Sequence, residues 1–553
     1  MDFQRAVQAY LWALPMIGSA QWQNEQHDKF GAGDLDYVDY LDFKDKLGLL
    51  TANATTPYSI SFVNLAKTGP LVVEIPAGAI AGGILDVWQR PITDTGALGP
   101  EKSQGGKFLI RGPNDPDLKP EGYYVYRSPT NNIWSGQRGL DPDKAKATAL
   151  LGQIRSYPYA ERDNPRNVSK HIRPEGRKWA GRQPGGLHYW EIVARVVNEE
   201  PPLERDRITL ATLVPLGIEK GKPFNPNARQ KAILEQASNV GELMARANGY
   251  AKRFSGSTIW PGKHWEYSLY LKETDQEVPT HTQLDERASW FYEAVGVTVG
   301  MMGRTVGAGQ VYLESSKDAV GKWLEGDKSY TLHVPKDAPV AQFWSFTVYD
   351  NETRCFVDTG SYPDRSSRDD IVVNADGSVD LYFGPTPPTG KPEHNWIKTI
   401  PNRGWFTYFR LYGPTQPYFD KTWQLPDIAE VSETPRKGIV RIPPTEPIPG
   451  AARETTASGA WAGIAIDGTE RRLWFEAVRK RHCRYASRNN LLAAPPPQFE
   501  GFNAPPRYDT KVLIVVTVRR FHIASFDCVE KVGWRVWHCT SCRIRTDNVE
   551  QFQ

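Results

Sequence analysis

The stretch GWFTYFRLYGP, residues 404–414, sets one arginine among tyrosines on what reads as a single strand. Side chains alternate along a strand, so Trp405, Thr407, Phe409 and Leu411 share one face, and Phe406, Tyr408, Arg410 and Tyr412 share the other. The first is a core face. The second carries a guanidinium flanked by phenols, which suits either recognition of a carboxylate or similar anion, or an arginine stacked between rings at a sheet face. Asp350 and Arg354 bracket the turn in YDNETR. Exposed, they would form an ion pair worth about 0.2–1 kcal/mol. In a cleft, Asp350 is a candidate general base and Arg354 an anion clamp. Asp350, Arg354 and Arg410 are therefore the candidate catalytic residues.

A second set of polar groups is embedded among aromatics. Asn53, Thr56 and Tyr58 precede a strand, Trp88 and Gln89 lie in DVWQRPITD, and Asn395, Trp396 and Tyr412 sit near the C-terminal strands. As a set they point to a concave pocket with a few convergent polar groups, the general form of a small-molecule site. The alternative is that Asn and Asp hold turns, Arg pairs across a hairpin and Trp fills a core. No GxSxG elbow, HExxH pair or close His-x-His occurs, so neither a hydrolase triad nor a metal centre has a local motif. No metal and no cofactor are expected.

The elements that must position these residues are mostly short strands. The opening reads as a helix with Phe3, Val7, Tyr10, Leu11 and Leu14 on one stripe and Pro15 near its end. LVVEIP, KFLIRGP and GYYVYRSPT are then β-branched or aromatic runs stopped by Pro or Gly-Pro. YWEIVARVVN fits helix or strand. From Asn225 the pattern is helical: Asn225 as cap, Pro226 at the first position, and Ile233, Ala237, Val240 and Met244 on one side. A second helix starts at Thr282 and Asp285 and carries Leu284, Ala288, Phe291, Val295, Val299 and Met302. Strands resume at SYTLHVP and run through QFWSFTVYD, SVDLYFGP and the 404–414 stretch.

In this order QFWSFTVYDNETR, NADGSVDLYFGPTPP, NWIKTIPNRGWFTYFRLYGP and TWQLPDI resemble the family called domain of unknown function 1214. AYLWALP, TANATTPYSISFVNL, GPLVVEIPAG, DVWQRPITDTG, GGKFLIRGP and RSPTNN resemble domain of unknown function 1254. The resemblance covers about residues 3–431. It implies a bacterial or fungal protein of two jelly-roll-like β-sandwich domains with helices between them, and no established activity. Where the N-terminal family commonly has an Asp, in Asn-Asp-Thr-x-Tyr, this chain has Thr55, so an acidic role there has no occupant.

The expected class is thus mainly β with a helical middle region. The expected divisions are an N-terminal β domain at 1–200, helices at 201–315, a C-terminal β-sandwich at 316–431, a linker at 432–470 and a basic tail at 471–553. That tail holds fifteen Lys or Arg against seven Asp or Glu, and His482, Cys483, Cys528, His538, Cys539 and Cys542, but only one CxxC. It reads as an aberrant extension more than a zinc-bearing nucleic-acid module. Net charge is +3 over 553 residues, so composition selects no nucleic-acid partner. No apolar run is long enough to span a membrane and no leader is visible, so the chain as written is expected to be soluble and cytoplasmic, with export open if its start is incomplete. The expected function is an enzyme or enzyme-like binder of a small organic molecule in an aromatic and polar pocket, with anionic ligands among the candidates. The alternative is a noncatalytic binding or structural protein using its sheet surfaces. Homo-oligomerisation is left open.

Overall fold

All ten residues of the strand Trp405–Pro414 are buried, so neither of its faces meets solvent. Trp405, Phe409 and Leu411 enter one apolar core, and Phe406 and Tyr408 enter another. Burying a large apolar side chain stabilises by roughly 1.5–3 kcal/mol, so filling both faces makes this strand a central support of the fold.

The computed structural model describes residues 1–431, together with the backbone of 535–540 and 543–548. By contacts the chain divides into Met1–Glu433 and Thr434–Gln553. In the second unit, strands Arg535–Thr540 and Arg543–Asn548 pair antiparallel. The 432–470 linker and His482, Cys483, Cys528 and Cys542 lie outside the described residues, as do the side chains of His538 and Cys539.

Two pairs of sheets, with the small hairpin Glu277–Val278 and His281–Thr282, make up the strands of the first unit. In the N-terminal half a six-stranded sheet runs His171–Ile172, Tyr37–Tyr40, Tyr58–Asn64, Asn132–Gly139, Ile80–Asp86, Pro91–Gly96 in spatial order. A four-stranded sheet accompanies it, and Val63, Ile84 and Ile133 from the first meet Val73, Phe108 and Ile110 from the second in one core. In the C-terminal half a five-stranded sheet runs Glu266–Tyr267, Gln310–Ser315, Trp405–Pro414, Val340–Asp350, Asp364–Ser366. Its Leu313, Phe346 and Phe409 share a core with Leu332, Leu381 and Phe383 of a second four-stranded sheet.

Helices take about as large a share as strands, 27% against 26%, so the class is mixed, several sheets together with a helical region. The first helix, Asp2–Glu25, packs on Ala228–Tyr250 and Leu284–Glu293, and Pro15 lies inside it rather than near its end. YWEIVARVVN is helical, within Gly186–Glu199. The helix Ala228–Tyr250 is capped by Asn227, whose side chain accepts from the Gln230 amide in a capping box, not by Asn225. Its buried face is Leu234, Ala237, Ser238, Gly241 and Ala245, while Val240 and Met244 are exposed. Close approach decides this: a Cβ on Gly241 would stand 2.5 Å from Tyr10, so small residues rather than large apolar ones face the first helix. The helix begun at Leu284 stops at Glu293, short of Val299 and Met302. Ala294 is extended and Gly296 takes φ +77°, a left-handed conformation that glycine adopts without strain.

Candidate functional site

Between the six-stranded and five-stranded sheets lies a cavity of about 390 Å³. Most of its wall is apolar, including Trp22, Ile60, Leu85, Trp134 and Trp290. One end is polar, built from two cross-strand pairs of the same kind. Tyr58 stands opposite Arg138 in the N-terminal sheet, and Tyr312 opposite Arg410 in the C-terminal one. Each guanidinium lies against its partner's ring, at 5.2 Å for Arg138 over Tyr58 and 5.5 Å for Arg410 over Tyr312. Gln310 and Tyr412, themselves cross-strand partners, complete this end.

The two arginines are used differently. Arg410 is 2% exposed, and it donates from Nη2 to the Thr51 carbonyl at 2.8 Å and from Nη1 to the Thr347 hydroxyl at 2.9 Å. Thr347 in turn donates to Asp364. Asp364 is fully buried, and burial pushes its carboxyl up to about 7. Arg138 faces the cavity half-buried and donates from Nη1 to Gln310 Oε1. Among the described residues neither arginine is ion-paired to a carboxylate, and no Asp, Glu, His or Cys lines the cavity.

Arg410 grips the loop TANATTPY, which crosses from the N-terminal half. Within that loop Asn53 Oδ1 accepts from the Thr56 amide at 2.7 Å, the Asn53 amide donates to the Tyr58 hydroxyl at 3.0 Å, and Asn53 Nδ2 donates to the Tyr412 hydroxyl. Lys46 is completely buried beneath it, donating to the Asn53 and Thr56 carbonyls at 2.9 and 2.6 Å, 4.2 Å from the Tyr58 ring centroid. Burial, and then the nearby charge of Arg138, push the lysine's ammonium well below its ordinary range. Thr55, where the family resemblance implies an acid, reaches toward Asp364 Oδ1 at 3.5 Å.

Of the residues singled out from sequence, Tyr58, Arg410 and Tyr412 line the cavity, and Asn53 and Thr56 shape the loop beside it. The others lie elsewhere. Asp350 is paired with Arg403 through two hydrogen bonds of 2.7 Å, not with Arg354, because the turn directs the two side chains apart. That pairing holds the Asp350 carboxyl below its ordinary value against the opposing effect of burial. Arg354, at φ +59°, turns instead to the helical side, donating to Gln183 at 2.8 Å and to the Glu352 carbonyl at 2.7 Å. Gln89 bridges the Pro15 carbonyl and the Gly296 amide, Trp88 leans on Trp12, and Asn395 ties Val372 to the Asp380 carbonyl, with Trp396 beside it donating to Gly384. These hold turns and cores. Sequence reasoning missed Arg138, Gln310 and Tyr312. The signal was available in NIWSGQRG, where Trp134, Gly136 and Arg138 fall on one face with a glycine leaving room between the large groups.

A family model described as a protein of unknown function, DUF1254, matches residues 37–158, and a second, DUF1214, matches residues 309–416. The chain carries these two domains in tandem. The cavity's two Tyr–Arg pairs are thus one from DUF1254 and one from DUF1214. Among solved structures the chain is similar to the crystal structure of the VPA0106 protein from Vibrio parahaemolyticus, at 16% identity, 78% coverage of this chain, 100% of that one and a TM-score of 0.48. It is also similar to an uncharacterised protein from Burkholderia cenocepacia, at 13% identity, 78% and 94% coverage and a TM-score of 0.37. No curated protein matches the chain. Among the described residues no helix is long and apolar enough to cross a membrane, and no group of three His, Cys, Asp or Glu is arranged to hold a metal ion.

Proposed function

We propose that the chain binds a small organic molecule with an apolar body and one anionic end, held in the cavity between its DUF1254 and DUF1214 domains. Arg138 carries the reading: its guanidinium faces the cavity with one donor committed to Gln310 and with no carboxylate to neutralise it among the described residues. A further cation, Arg410, lies buried near it without a paired carboxylate. An unneutralised charge in a low-dielectric setting is costly, and an incoming carboxylate would relieve that cost while forming charge-assisted hydrogen bonds. The tryptophan-lined remainder suits an aromatic or aliphatic body. On this reading the two domains are jelly-roll-like β-sandwiches acting as rigid walls, and Arg410 fixes the loop that joins them.

Binding rather than catalysis is the reading the lining supports, since the residue types that most often move protons or attack carbonyls are not among the described lining residues. The test is a melting series on the wild type and Arg138→Met with a panel of aromatic and aliphatic carboxylates. A ligand that binds only the native state raises its stability by mass action. Carboxylates should raise the melting temperature of the wild type and not of the variant. Equal stabilisation of both would contradict the proposal.

A further inference from the structure

A second pocket of about 370 Å³ lies next to the first, and the two share Met301 and Tyr312 as walls. The partition is made of side chains at that point. Methionine is unbranched and adapts its shape readily, so a partition containing one yields to a ligand more easily than a β-branched or aromatic wall would. Met301 ends the short turn Val299–Met301, and Gly303 follows at φ +61° in a place where a Cβ would collide with Val311. That tight turn is what directs Met301 between the pockets.

The outer pocket has a cation of its own. Lys421 donates to the Tyr267 hydroxyl at 2.7 Å, and its ammonium stands 4.4 Å from the Tyr418 ring centroid. Among the described residues it has no ion pair, whereas the pocket's other cation, Arg304, is paired with Glu273 at 3.4 Å. Each compartment therefore presents a cation that has no carboxylate partner and is not sealed by backbone carbonyls: Arg138 inside, unlike the neighbouring Arg410, and Lys421 outside. Met301 and Tyr312, the walls common to both, stand between the compartments.

We propose that the two pockets are compartments of one elongated site, whose ligand is a molecule with an acidic group at each end of an apolar body, one end at Arg138 and the other at Lys421. This rests on the reading of the inner cavity as an anion site. When the ligand occupies both compartments, the Met301 side chain moves aside and Tyr312 flanks the body of the ligand.

The experiment uses α,ω-dicarboxylates of increasing length, from adipate to hexadecanedioate, and monocarboxylates of matched length, titrated calorimetrically into the full chain. Above a threshold length the dicarboxylates should bind about tenfold more tightly than their monocarboxylate counterparts, the gain of one charge-assisted contact. Lys421→Met should abolish that preference and leave monocarboxylate affinity unchanged, and Lys421→Arg should restore it. Met301→Trp should weaken the long ligands and spare the short ones. If monocarboxylates bind in an Arg138-dependent way but dicarboxylates bind no better at any length, or if Lys421→Met leaves the preference intact, the two-compartment proposal is overturned while the inner site stands. If no carboxylate of either kind binds, both readings fall.

Discussion

The DUF1254 and DUF1214 domains each place a tyrosine opposite an arginine on neighbouring strands, and each pair faces the same cavity. Their chemistry is alike and their employment is not. Arg410 is sealed in, with its donors spent on the Thr51 carbonyl and the Thr347 hydroxyl. Arg138 spends one donor on Gln310 and keeps the rest toward the cavity. An arginine's role is thus set less by its neighbours on the strand than by which backbone carbonyls come within reach. The loop Thr51–Thr56 reaches Arg410 and leaves Arg138 open. Another buried cation shows what internal compensation looks like: Lys252 is ion-paired with Glu314, beside Glu293, whose carboxyl is pushed well above its ordinary range by burial and then by Glu314. The Lys252–Glu314 pair balances its charge without a ligand.

Substitution at each cation separates these roles. The largest loss of stability is expected from Lys252→Met, which strands the carboxylate of Glu314 in the interior. Removing one partner of a buried pair typically costs about 3–5 kcal/mol, to be read from denaturant unfolding. Arg410→Met should come next, at roughly 2–4 kcal/mol, because it leaves two buried oxygens without donors. Arg410→Lys should recover only part, since a single ammonium cannot reproduce the fork.

A pH effect separates the Arg410 side further. The Asp364 carboxyl lies above its unfolded value, from 3.8 up to about 7, so the folded protein holds a proton that the unfolded chain releases. Its contribution to stability is complete below the unfolded value and is lost as pH rises to about 7. The difference in unfolding free energy between wild type and Asp364→Asn should therefore slope across that window and flatten above it. A difference that does not vary with pH would contradict the assignment. The smallest effect on stability is expected from Arg138→Met, within about 1 kcal/mol, since an unneutralised cation contributes little to holding the fold. A loss as large as that of Arg410→Met would erase the distinction between the two arginines.

The sequence made the strands of both halves legible, because β-branched and aromatic runs ended by Gly or Pro leave a clear period-two record. It showed the two faces of Trp405–Pro414 and the unusual placement of Arg410. What it hid was the cover on the second face, since the helices that bury Phe406 and Tyr408 come from distant segments. The helix Ala228–Tyr250 was legible in existence but not in orientation: apolar spacing selected Val240 and Met244, while packing against Tyr10 selected Gly241 and Ala245. Proximity in sequence suggests Arg354 as the partner of Asp350, yet Arg403, fifty-three positions away, takes it. Arg138 escaped notice for a related reason. Its strand is ordinary in sequence, and only the facing of two sheets gives its guanidinium a cavity to address.

Whether Arg138 is an anion site is decided by a calorimetric titration of a matched pair, decanoate and decanol, into the wild type and Arg138→Met. The two ligands share an apolar body and differ in charge. The account predicts that the carboxylate binds the wild type about tenfold or more tightly than the alcohol, and that this gap closes in the variant because the alcohol retains its affinity. Equal binding of both ligands to the wild type, or a gap that survives Arg138→Met, would contradict it.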